Sequence, residues 1–513
     1  MSGIAITQHS GQGGNDDDRA ATYVVGFTND CDYVCDGVAD NVQVQQAVTD
    51  LAANFGTGRI VLREGTYDIQ VGIMLTAAGM VLGGQGWSTI LQGDQDNYTI
   101  DIQADYVVVR DLRITQVAGS GSVGARPNCI HITGQDYAEV LRCRLSGDET
   151  VADDGSNYRQ NGVFIANGSD NCKVEGCIIR DQMRSGITVD WQTVTDADHA
   201  KIINNRILGN TYYAIYVNGA DHGLIEGNLI YDNVYAVTIA GAAQHWRIIG
   251  NHIHDNDYEA IAAYNDDILD TIIVGNVCYS SDRSGIRVQD QCFIAANICA
   301  DNARNGISAE ERCTIVGNYC YGNDSAHTNT YDGIVVTDRP ETVISGNVCY
   351  LNDRHGICLA GGTTRASVSG NTCRDNGQDG IRDASAGLNA ICSNTCYSND
   401  SDGVEVNAAD NDLVAGNSLT TNGAYGIMVD NAAIENQFQN NYTKSNATAC
   451  ARINNANCAR NIFTNNCFDE GDISDVGGAH GCIAYLNYDP SGGAMITTIN
   501  SPTVVGGGGG ALP

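Results

Sequence analysis

The residues of this chain that could perform acid–base chemistry occur in short, turn-like segments. Asp353, Arg354 and His355 stand together in DRHG, which offers an acid, a cation and a base in one corner. His254 and Asp255 form a second such pair, in HIHDND. General acid–base catalysis needs groups of these types within hydrogen-bond reach of a substrate. Because related segments read DRSG and ARNG, catalysis at either place is one hypothesis and variation of a repeated turn is the other.

A metal site is considered at the densest group of carboxylates. Asp266, Asp267 and Asp270 lie close together in NDDILD. Carboxylate oxygens are the ligands that calcium takes in proteins, so these residues could bind calcium. Solvated aspartates in a turn explain the same pattern. We expect no other cofactor.

A repeat positions these residues along the chain. The segment GNVCYSSDRSGIRV at 275–288 returns 71 residues later as GNVCYLNDRHGICL at 346–359. Two landmarks recur with a period of about 24 residues. One is a small residue followed by Ile or Val, and the other is an asparagine. The asparagines are Asn205, Asn228, Asn251, Asn276, Asn297, Asn318, Asn347, Asn371, Asn394, Asn417, Asn441 and Asn466.

Each repeat unit alternates polar and apolar residues with a period of two, as strands do. Three short strands in about 24 residues cannot bury themselves alone, but stacked coils can. Leucine-rich repeats and propeller blades do not have this spacing of strands. The pattern predicts an all-β parallel β-helix, with the asparagines aligned in one row and bonded from coil to coil.

The residues before the repeat carry a resemblance to a known family. DYVCDGVADNVQVQQAVTDL at 32–51, GRIVLREGTYDI at 58–69 and GMVLGGQGWSTIL at 79–91 resemble the entry of the pectate lyase superfamily. That resemblance implies a right-handed helix with a short N-terminal capping helix. Among its members the chain looks most like virion tailspike, turret and fibre proteins. The coils also resemble mannuronan C5-epimerases, but their catalytic stretch is missing here.

These features predict a division of the chain. Residues 1–20 would be a flexible attachment arm, 21–105 the N-terminal cap and first coils, 106–468 the parallel β-helix, and 469–513 a C-terminal cap with a glycine-rich tail. Two units are longer than the others and contain DWQTVTDADH and DSAHTNTYDG. Long turns of a solenoid are where ligand contacts collect.

Charge and hydropathy exclude several partners. The formal net charge is −34, so nucleic acid and anionic membranes are poor partners. No stretch approaches 18 consecutive apolar residues, so we expect no membrane insertion.

Cysteine is unusually frequent, with 20 residues. Six of them lie two positions after the asparagine of the repeat: Cys278, Cys299, Cys320, Cys349, Cys373 and Cys396. Neighbouring Cβ atoms in a parallel ladder are about 4.8 Å apart, whereas a disulfide prefers about 3.8 Å. We therefore expect these thiols to point inward and to be unbridged. Cys31 and Cys35 could pair or simply pack.

One position after this cysteine slot, alternation predicts an outward stripe. Its members are Leu208, Tyr231, His254, Tyr279, Ala300, Tyr321, Tyr350, Arg374 and Tyr397. Sugar rings stack on aromatic faces, so the tyrosines and the histidine are candidates for glycan binding. Stacking between coils and contact between subunits are the alternatives.

The function predicted from these observations is that of a virion surface spike, turret or fibre of a tailed virus. Such a protein is structural and binds host glycans at the virion surface or outside cells. The first 20 residues, polar and without a secretory pattern, would bind other virion proteins. We expect a homo-oligomer, by default a trimer. The alternatives are an extracellular polysaccharide lyase, epimerase or hydrolase, and a cell-surface adhesin.

Overall fold

The protein forms a right-handed parallel β-helix of about 16 turns, with about 24 residues per turn. In this computed structural model the described residues are 21–94, 98–117, 128–147, 160–190, 197–263, 268–338, 340–455, 457–469, 473–475, 481–490 and 494–496. The sequence-based prediction of fold class is confirmed. The division into arm, cap, helix and tail stays a prediction.

Internal contacts divide the chain into two units, which are described separately. The first contains residues 1–258 and 265–272, and the second contains residues 259–264 and 273–513. The elements from the N-terminus to residue 254 are β1 Thr22–Gly26, β2 Tyr33–Val34, α1 Asn41–Phe55, β3 Arg59–Leu62, β4 Gly65–Ile69, β5 Ile73–Leu75, β6 Val81–Gly83, β7 Thr89–Asp94, β8 Ile100–Ile102, β9 Val108–Arg110, β10 Arg113–Val117, β11 Ile130–Thr133, β12 Glu139–Leu141, β13 Arg144–Ser146, β14 Asn161–Ala166, β15 Lys173–Glu175, β16 Ile178–Arg180, β17 Ser185–Asp190, β18 Lys201–Ile203, β19 Arg206–Leu208, β20 Tyr213–Asn218, β21 Leu224–Glu226, β22 Leu229–Tyr231, β23 Tyr235–Ala240, β24 Arg247–Ile249 and β25 His252–His254.

The strands that follow continue the same pattern. They are β26 Ile261–Ala263, β27 Ile272–Val274, β28 Val277–Tyr279, β29 Ile286–Val288, β30 Phe293–Ala295, β31 Ile298–Ala300, β32 Ile307–Ala309, β33 Thr314–Val316, β34 Tyr319–Tyr321, β35 Ile334–Thr337, β36 Val343–Ser345, β37 Val348–Tyr350, β38 Ile357–Ala360, β39 Ser367–Ser369, β40 Thr372–Arg374, β41 Ile381–Ala384, β42 Ala390–Cys392, β43 Thr395–Tyr397, β44 Val404–Asn407, β45 Leu413–Ala415, β46 Ser418–Thr420, β47 Tyr425–Asp430, β48 Gln437–Gln439, β49 Tyr442–Lys444, β50 Ala449–Ile453, β51 Ile462–Thr464, β52 Cys467–Asp469, β53 Ile473–Asp475, β54 Ile483–Tyr485, β55 Asn487–Asp489 and β56 Ala494–Ile496.

Each coil gives one strand to each of three sheets, which we call A, B and C. In the first unit β18, β19 and β20 are the sheet A, B and C strands of one coil, and in the second unit β33, β34 and β35 are another such set. In the second set each strand pairs in parallel with the equivalent strand of the next coil, three or four residues in register. The described strands β55 and β56 form an antiparallel pair.

The predicted asparagine row is present in both units. In the second unit the side-chain Nδ2 of Asn318 donates to Asn347 Oδ1 at 2.9 Å, and Asn347 Nδ2 donates to Asn371 Oδ1 at 3.0 Å. The same Oδ1 atoms accept the backbone N–H of the preceding coil's asparagine. Each buried amide is therefore satisfied by its neighbours along the helix.

A second asparagine row, which the sequence analysis did not single out, runs five residues later in most coils, with Ser281 in place of asparagine after Asn276. Asn323 Nδ2 donates to Asn352 Oδ1 at 2.9 Å, and Asn352 Nδ2 donates to Asn376 Oδ1 at 3.0 Å. The small residue of the repeat lies beside this row. A Cβ on Gly306 would lie 2.6 Å from the carbonyl oxygen of Gly333, so no larger residue fits without a shift.

The core of each coil contains inward-facing aliphatic residues, and in the second unit also the predicted cysteines. Cys278 pairs in register with Cys299, and Cys320 with Cys349. All six are fully buried, and all 20 cysteines are unbridged. This confirms the expectation of inward, free thiols.

Helix α1 packs against the first strands, as the resemblance implied. Asp40 occupies the N-cap position, but its side chain makes no capping hydrogen bond. Its carboxylate instead accepts the backbone N–H of Gly37 and that of Asp68, each at 2.9 Å. Asp40 thereby connects the start of the helix to β4.

Candidate functional site

A row of ionisable side chains lies just before the sheet C strands of four successive coils in the second unit, at the residue that precedes the small residue of the repeat. Together with the side chains that contact this row, it forms what we call the ionic cluster. Its members are Asp332, Arg354, His355, Asp379, Arg382, Asp402 and Glu405.

Backbone hydrogen bonds hold the row in position. The N–H of His355 donates to Asp332 Oδ1 at 3.1 Å, that of Asp402 to Asp379 Oδ1 at 3.0 Å, and that of Tyr425 to Asp402 Oδ1 at 2.8 Å. The direction is opposite to that of the asparagine rows, because here the N–H of the later coil donates to a side chain of the earlier coil. Stacking of coils therefore brings side chains that are 23 or 24 residues apart in sequence into direct contact.

His355 forms the centre of the cluster. Its Nδ1 lies 3.1 Å from Asp379 Oδ2, and its Nε2 lies 3.4 Å from Nη1 of Arg382. The Nδ1 of His355 also accepts the backbone N–H of Asp379 at 3.2 Å.

The carboxyl groups of the cluster have divergent pKa values. Burial opposes ionisation of Asp379, but the hydrogen bond and charge of His355 outweigh it and lower the pKa. Burial and the charge of Asp379 raise the pKa of Asp402 to about 8 and that of Glu405 to about 7. Burial also raises the pKa of Asp332. Pairs of carboxyls that are pushed apart in this way can act as acid and base in one site.

Guanidinium groups border the cluster and are anchored to it. Arg354 Nε lies 3.2 Å from Asp332 Oδ1, and Arg382 Nε lies 3.0 Å from Glu405 Oε2. Arg354 also donates through Nη1 to the carbonyl oxygen of Thr330, at 2.6 Å. Thr330 belongs to DSAHTNTYDG, the turn that makes its coil longer than the others. This turn therefore lies beside the cluster.

A small cleft of about 10 Å³, space for about one water molecule, lies on sheet C of the first unit. It is lined by Asn161, Phe164, Arg184, Thr188, Asp190 and Tyr216. Phe164, Thr188 and Tyr216 are in register on three successive strands, so two aromatic residues flank a small one. The strands that carry Phe164 and Tyr216 are about 9.5 Å apart, twice the spacing of neighbouring strands.

Polar groups are fixed at the edges of this cleft. Asn218 Nδ2 donates to Asp190 Oδ1 at 2.9 Å, and Thr188 Oγ1 donates to Asn161 Oδ1 at 3.0 Å. Flat aromatic side chains with a few convergent polar groups are what carbohydrate sites use to bind a sugar ring and its hydroxyls.

The structure separates the residues that the sequence analysis grouped in DRHG. Arg354 and His355 belong to the ionic cluster, whereas Asp353 Oδ1 lies 3.0 Å from Nδ1 of His327. His254 and Asp255 form an ion pair of their own at 2.7 Å. Whether any of these groups is catalytic stays a prediction.

The carboxylates of NDDILD are placed only in part. Asp266 and Asp267 lie outside the described residues, and Asp270 Oδ2 lies 3.5 Å from His245 Nε2.

The predicted aromatic stripe is aligned on sheet B, and its rings stack on one another. Tyr321 and Tyr350 are 4.8 Å apart with an interplanar angle of 16°, and the guanidinium of Arg374 lies 4.2 Å from the Tyr350 ring centroid. Tyr231 and His254 are stacked at 5.0 Å. These contacts occupy ring faces that a sugar would need, although glycan binding by Tyr231, His254, Tyr279, Tyr321, Tyr350 and Tyr397 stays a prediction.

Sequence reasoning missed Asp379, Asp402 and Glu405. A signal was available, because the residue before the small residue is ionisable in four successive coils: Asp332, His355, Asp379 and Asp402. Glu405 gave no such signal, since its contact with Asp379 depends on how the coils stack.

The fold is that of a parallel β-helix. The chain belongs to the family whose model is described as "Periplasmic copper-binding protein (NosD)", which matches residues 70–267 and 269–466. No curated protein matches the chain significantly.

Several solved structures are similar, each at low identity. The periplasmic alginate epimerase AlgG is 14% identical, with a TM-score of 0.34, over 76% of this chain and 78% of that one. The Dettilon tailspike protein gp208 is 12% identical, with a TM-score of 0.32, over 90% and 68%. DFA-IIIase from Arthrobacter chlorophenolicus A6 is 12% identical, with a TM-score of 0.44, over 68% and 94%.

The copper in the family's description was tested against the residues present. In the described part of the chain no group of three or more His, Cys, Asp and Glu side chains could hold a metal ion. The described helix is also too short to cross a membrane.

Proposed function

We propose that this protein binds a neutral glycan outside the cytoplasm, with the cleft on sheet C of the first unit as the binding site. The observation that carries the proposal is the placement of Phe164 and Tyr216 on either side of Thr188, with Asp190 and Asn161 at the edges. Phe164 is 2% exposed and stacks on His131, so a sugar would contact the half-buried ring of Tyr216 and bond through its hydroxyls to the polar groups at the edges.

The preference for a neutral glycan follows from charge. A protein with a net charge of −34 repels polyanions, and its field does not oppose an uncharged polysaccharide. Polymers of uronic acids are polyanions, so they are the ligands with which neutral polysaccharides should be compared. We expect binding that changes little with ionic strength, because screening affects only charged partners.

The test is binding to a mannan, a galactan, a β-glucan and a xylan, with alginate as the polyanionic comparison. Tyr216→Ala should weaken retention on the bound polysaccharide by about tenfold, since an aromatic contact contributes about 0.5–1.5 kcal/mol beyond its buried area. Tyr106→Ala is the matched control, because Tyr106 is an exposed tyrosine of the same unit that stacks on Tyr137. Equal retention by Tyr216→Ala and wild type would contradict the proposal.

The location we propose is the surface of a tailed virus, where the protein would serve as a spike, turret or fibre. A stiff β-helix suits such a role, and the family description places relatives in the periplasm, also outside the cytoplasm. Attachment would use residues 1–20, which lie outside the described residues, and the assembly would be a homo-oligomer, by default a trimer. Deletion of these 20 residues should abolish incorporation into particles while the isolated protein keeps its melting temperature. Normal incorporation would refute the attachment role.

A further inference from the structure

Two sheets of the second unit share an outer surface that carries no charge. It is formed by the sheet A strands β30, β33 and β36 and the sheet B strands β31, β34 and β37. The middle residue of each of these strands is fully buried, so by alternation the first and third residues point outward. None of these outward residues is charged, and most are apolar. We call this surface the apolar face, and it includes Phe293, Ile298, Val316, Tyr319, Val343 and Val348.

The apolar face is continuous from coil to coil. Phe293, Thr314 and Val343 are in register on three successive strands of sheet A, and the three strands of sheet B are paired in the same order. Phe293 is 42% exposed, Val343 is 39% exposed and Tyr319 is 51% exposed. Contiguous apolar surface that is exposed on a soluble protein marks a place where another molecule binds.

The fold does not require uncharged residues at these positions. In the first unit, the first residue of a sheet A strand is Glu139 in β12, Lys201 in β18 and Arg247 in β24. In the second unit, the third residue of a sheet B strand is Arg374 in β40 and Lys444 in β49. The absence of charge is therefore a property of this face and not of the β-helix.

Charge favours a second copy of this chain as the partner. The formal net charge of −34 makes two copies repel each other over most of their surfaces. Two apolar faces can meet without placing like charges against each other, and their contact removes apolar side chains from water. A strongly charged partner would be recognised by complementary charges, which this face lacks.

We infer that copies of this protein associate through the apolar face, with Phe293, Tyr319 and Val343 buried in the contact. The inference goes beyond the proposed function, which names no surface of contact between copies. It does not depend on glycan binding or on a location at the surface of a virus.

The experiment is sedimentation of the full chain over a range of protein concentrations, at about 0.05 M and about 0.5 M sodium chloride. The wild type should form a larger species whose fraction grows with protein concentration. Association should be stronger at the higher salt concentration, because screening weakens the repulsion between copies and hardly affects apolar contacts.

Two variants test the surface itself. Val343→Glu should raise the dissociation constant at least about tenfold, because it places like charges against each other in the contact. Glu139 shows that sheet A accepts a glutamate at this position of a strand. Tyr319→Ser, which adds no charge, should also weaken association. Gln437→Glu is the matched control, because Gln437 is the exposed first residue of β48, in the same sheet and unit but outside the apolar face.

Three outcomes would overturn the inference. The first is a wild type that stays monomeric at both salt concentrations, in which case a different protein would be the occupant of the face. The second is association that weakens as salt is added, because this indicates contact through ion pairs. The third is unchanged association of Val343→Glu with a melting temperature near that of wild type, and Tyr319→Ser provides the same comparison if Val343→Glu does not fold. Each of these results leaves glycan binding intact, because retention of polysaccharides is measured separately.

Discussion

Replacement of Asp412 by Asn should stabilise the protein, by an amount that grows as the pH rises. Asp412 is 1% exposed and occupies a row whose next members in the chain are Asn436 and Asn461. Its Oδ1 accepts the backbone N–H of Asn389 at 2.8 Å, which an asparagine oxygen can also do. Asn436 and Asn461 use their Nδ2 atoms to donate to backbone carbonyls, so an amide suits this row.

The magnitude follows from proton binding. Burial, followed by the charge of Asp383, raises the pKa of Asp412 from 3.8 to about 9, so the folded protein binds a proton that the unfolded chain releases. This contribution to stability is complete below about pH 3.8 and is lost as the pH rises toward 9. At about 1.36 kcal/mol per pH unit, the free-energy difference between variant and wild type should widen by at most ~4 kcal/mol from pH 5 to pH 8.

The assay is urea unfolding of both proteins at pH 5, 6, 7 and 8. Midpoints should separate with rising pH while the slopes of unfolding free energy against urea concentration stay equal, which would indicate an effect on stability alone. Asp400→Asn, at an exposed position of the same unit, is the control and should give a constant difference. If the unfolding free energies of Asp412→Asn and wild type differ by a constant amount from pH 5 to pH 8, Asp412 is not a buried proton-binding site and the reasoning fails.

Three further predictions concern packing. Tyr350→Ala should lower the melting temperature but leave glycan retention unchanged, because it removes the ring that stacks on Tyr321 at 4.8 Å; reduced retention at an unchanged melting temperature would instead support glycan binding by the stripe. Gly306→Ala should lower the free energy of unfolding by about 1–3 kcal/mol, measured in urea, because the new Cβ would lie 2.6 Å from Gly333 O, and an unchanged midpoint would show that the turn can relax. Thiol titration after denaturation without reductant should find all 20 cysteines free, and mass-mapped disulfides would refute this.

Much of the fold could be predicted because short stretches of the sequence are enough to show the repeat. Asn276, Cys278 and Ile286 occupy positions whose period and alternation are visible without any structure. Alternation with period two gives the direction of each side chain, so the inward cysteines and the outward tyrosines were assigned correctly. The Asn row was predicted for the same reason, since an amide can bond to an identical amide one coil away.

The candidate site could be predicted only in part. His355 and Arg354 attracted attention because of their residue types, but their neighbour Asp353 turns to His327 instead. Asp379 and Asp402 looked like ordinary turn residues before glycine. Their chemistry depends on neighbours that are more than 20 residues away in sequence.

The sequence by itself determined the period, the strand alternation and the identity of the inward and outward faces, because these depend on residues within one coil or its repeats. Only the tertiary structure decided which side chains touch across coils. It set the 3.1 Å contact between His355 and Asp379, the ion pair of Arg382 with Glu405, and the divergent pKa values of these carboxyls. The physical reason is that stacking coils about 4.8 Å apart creates contacts, burial and electrostatic fields that no single coil contains.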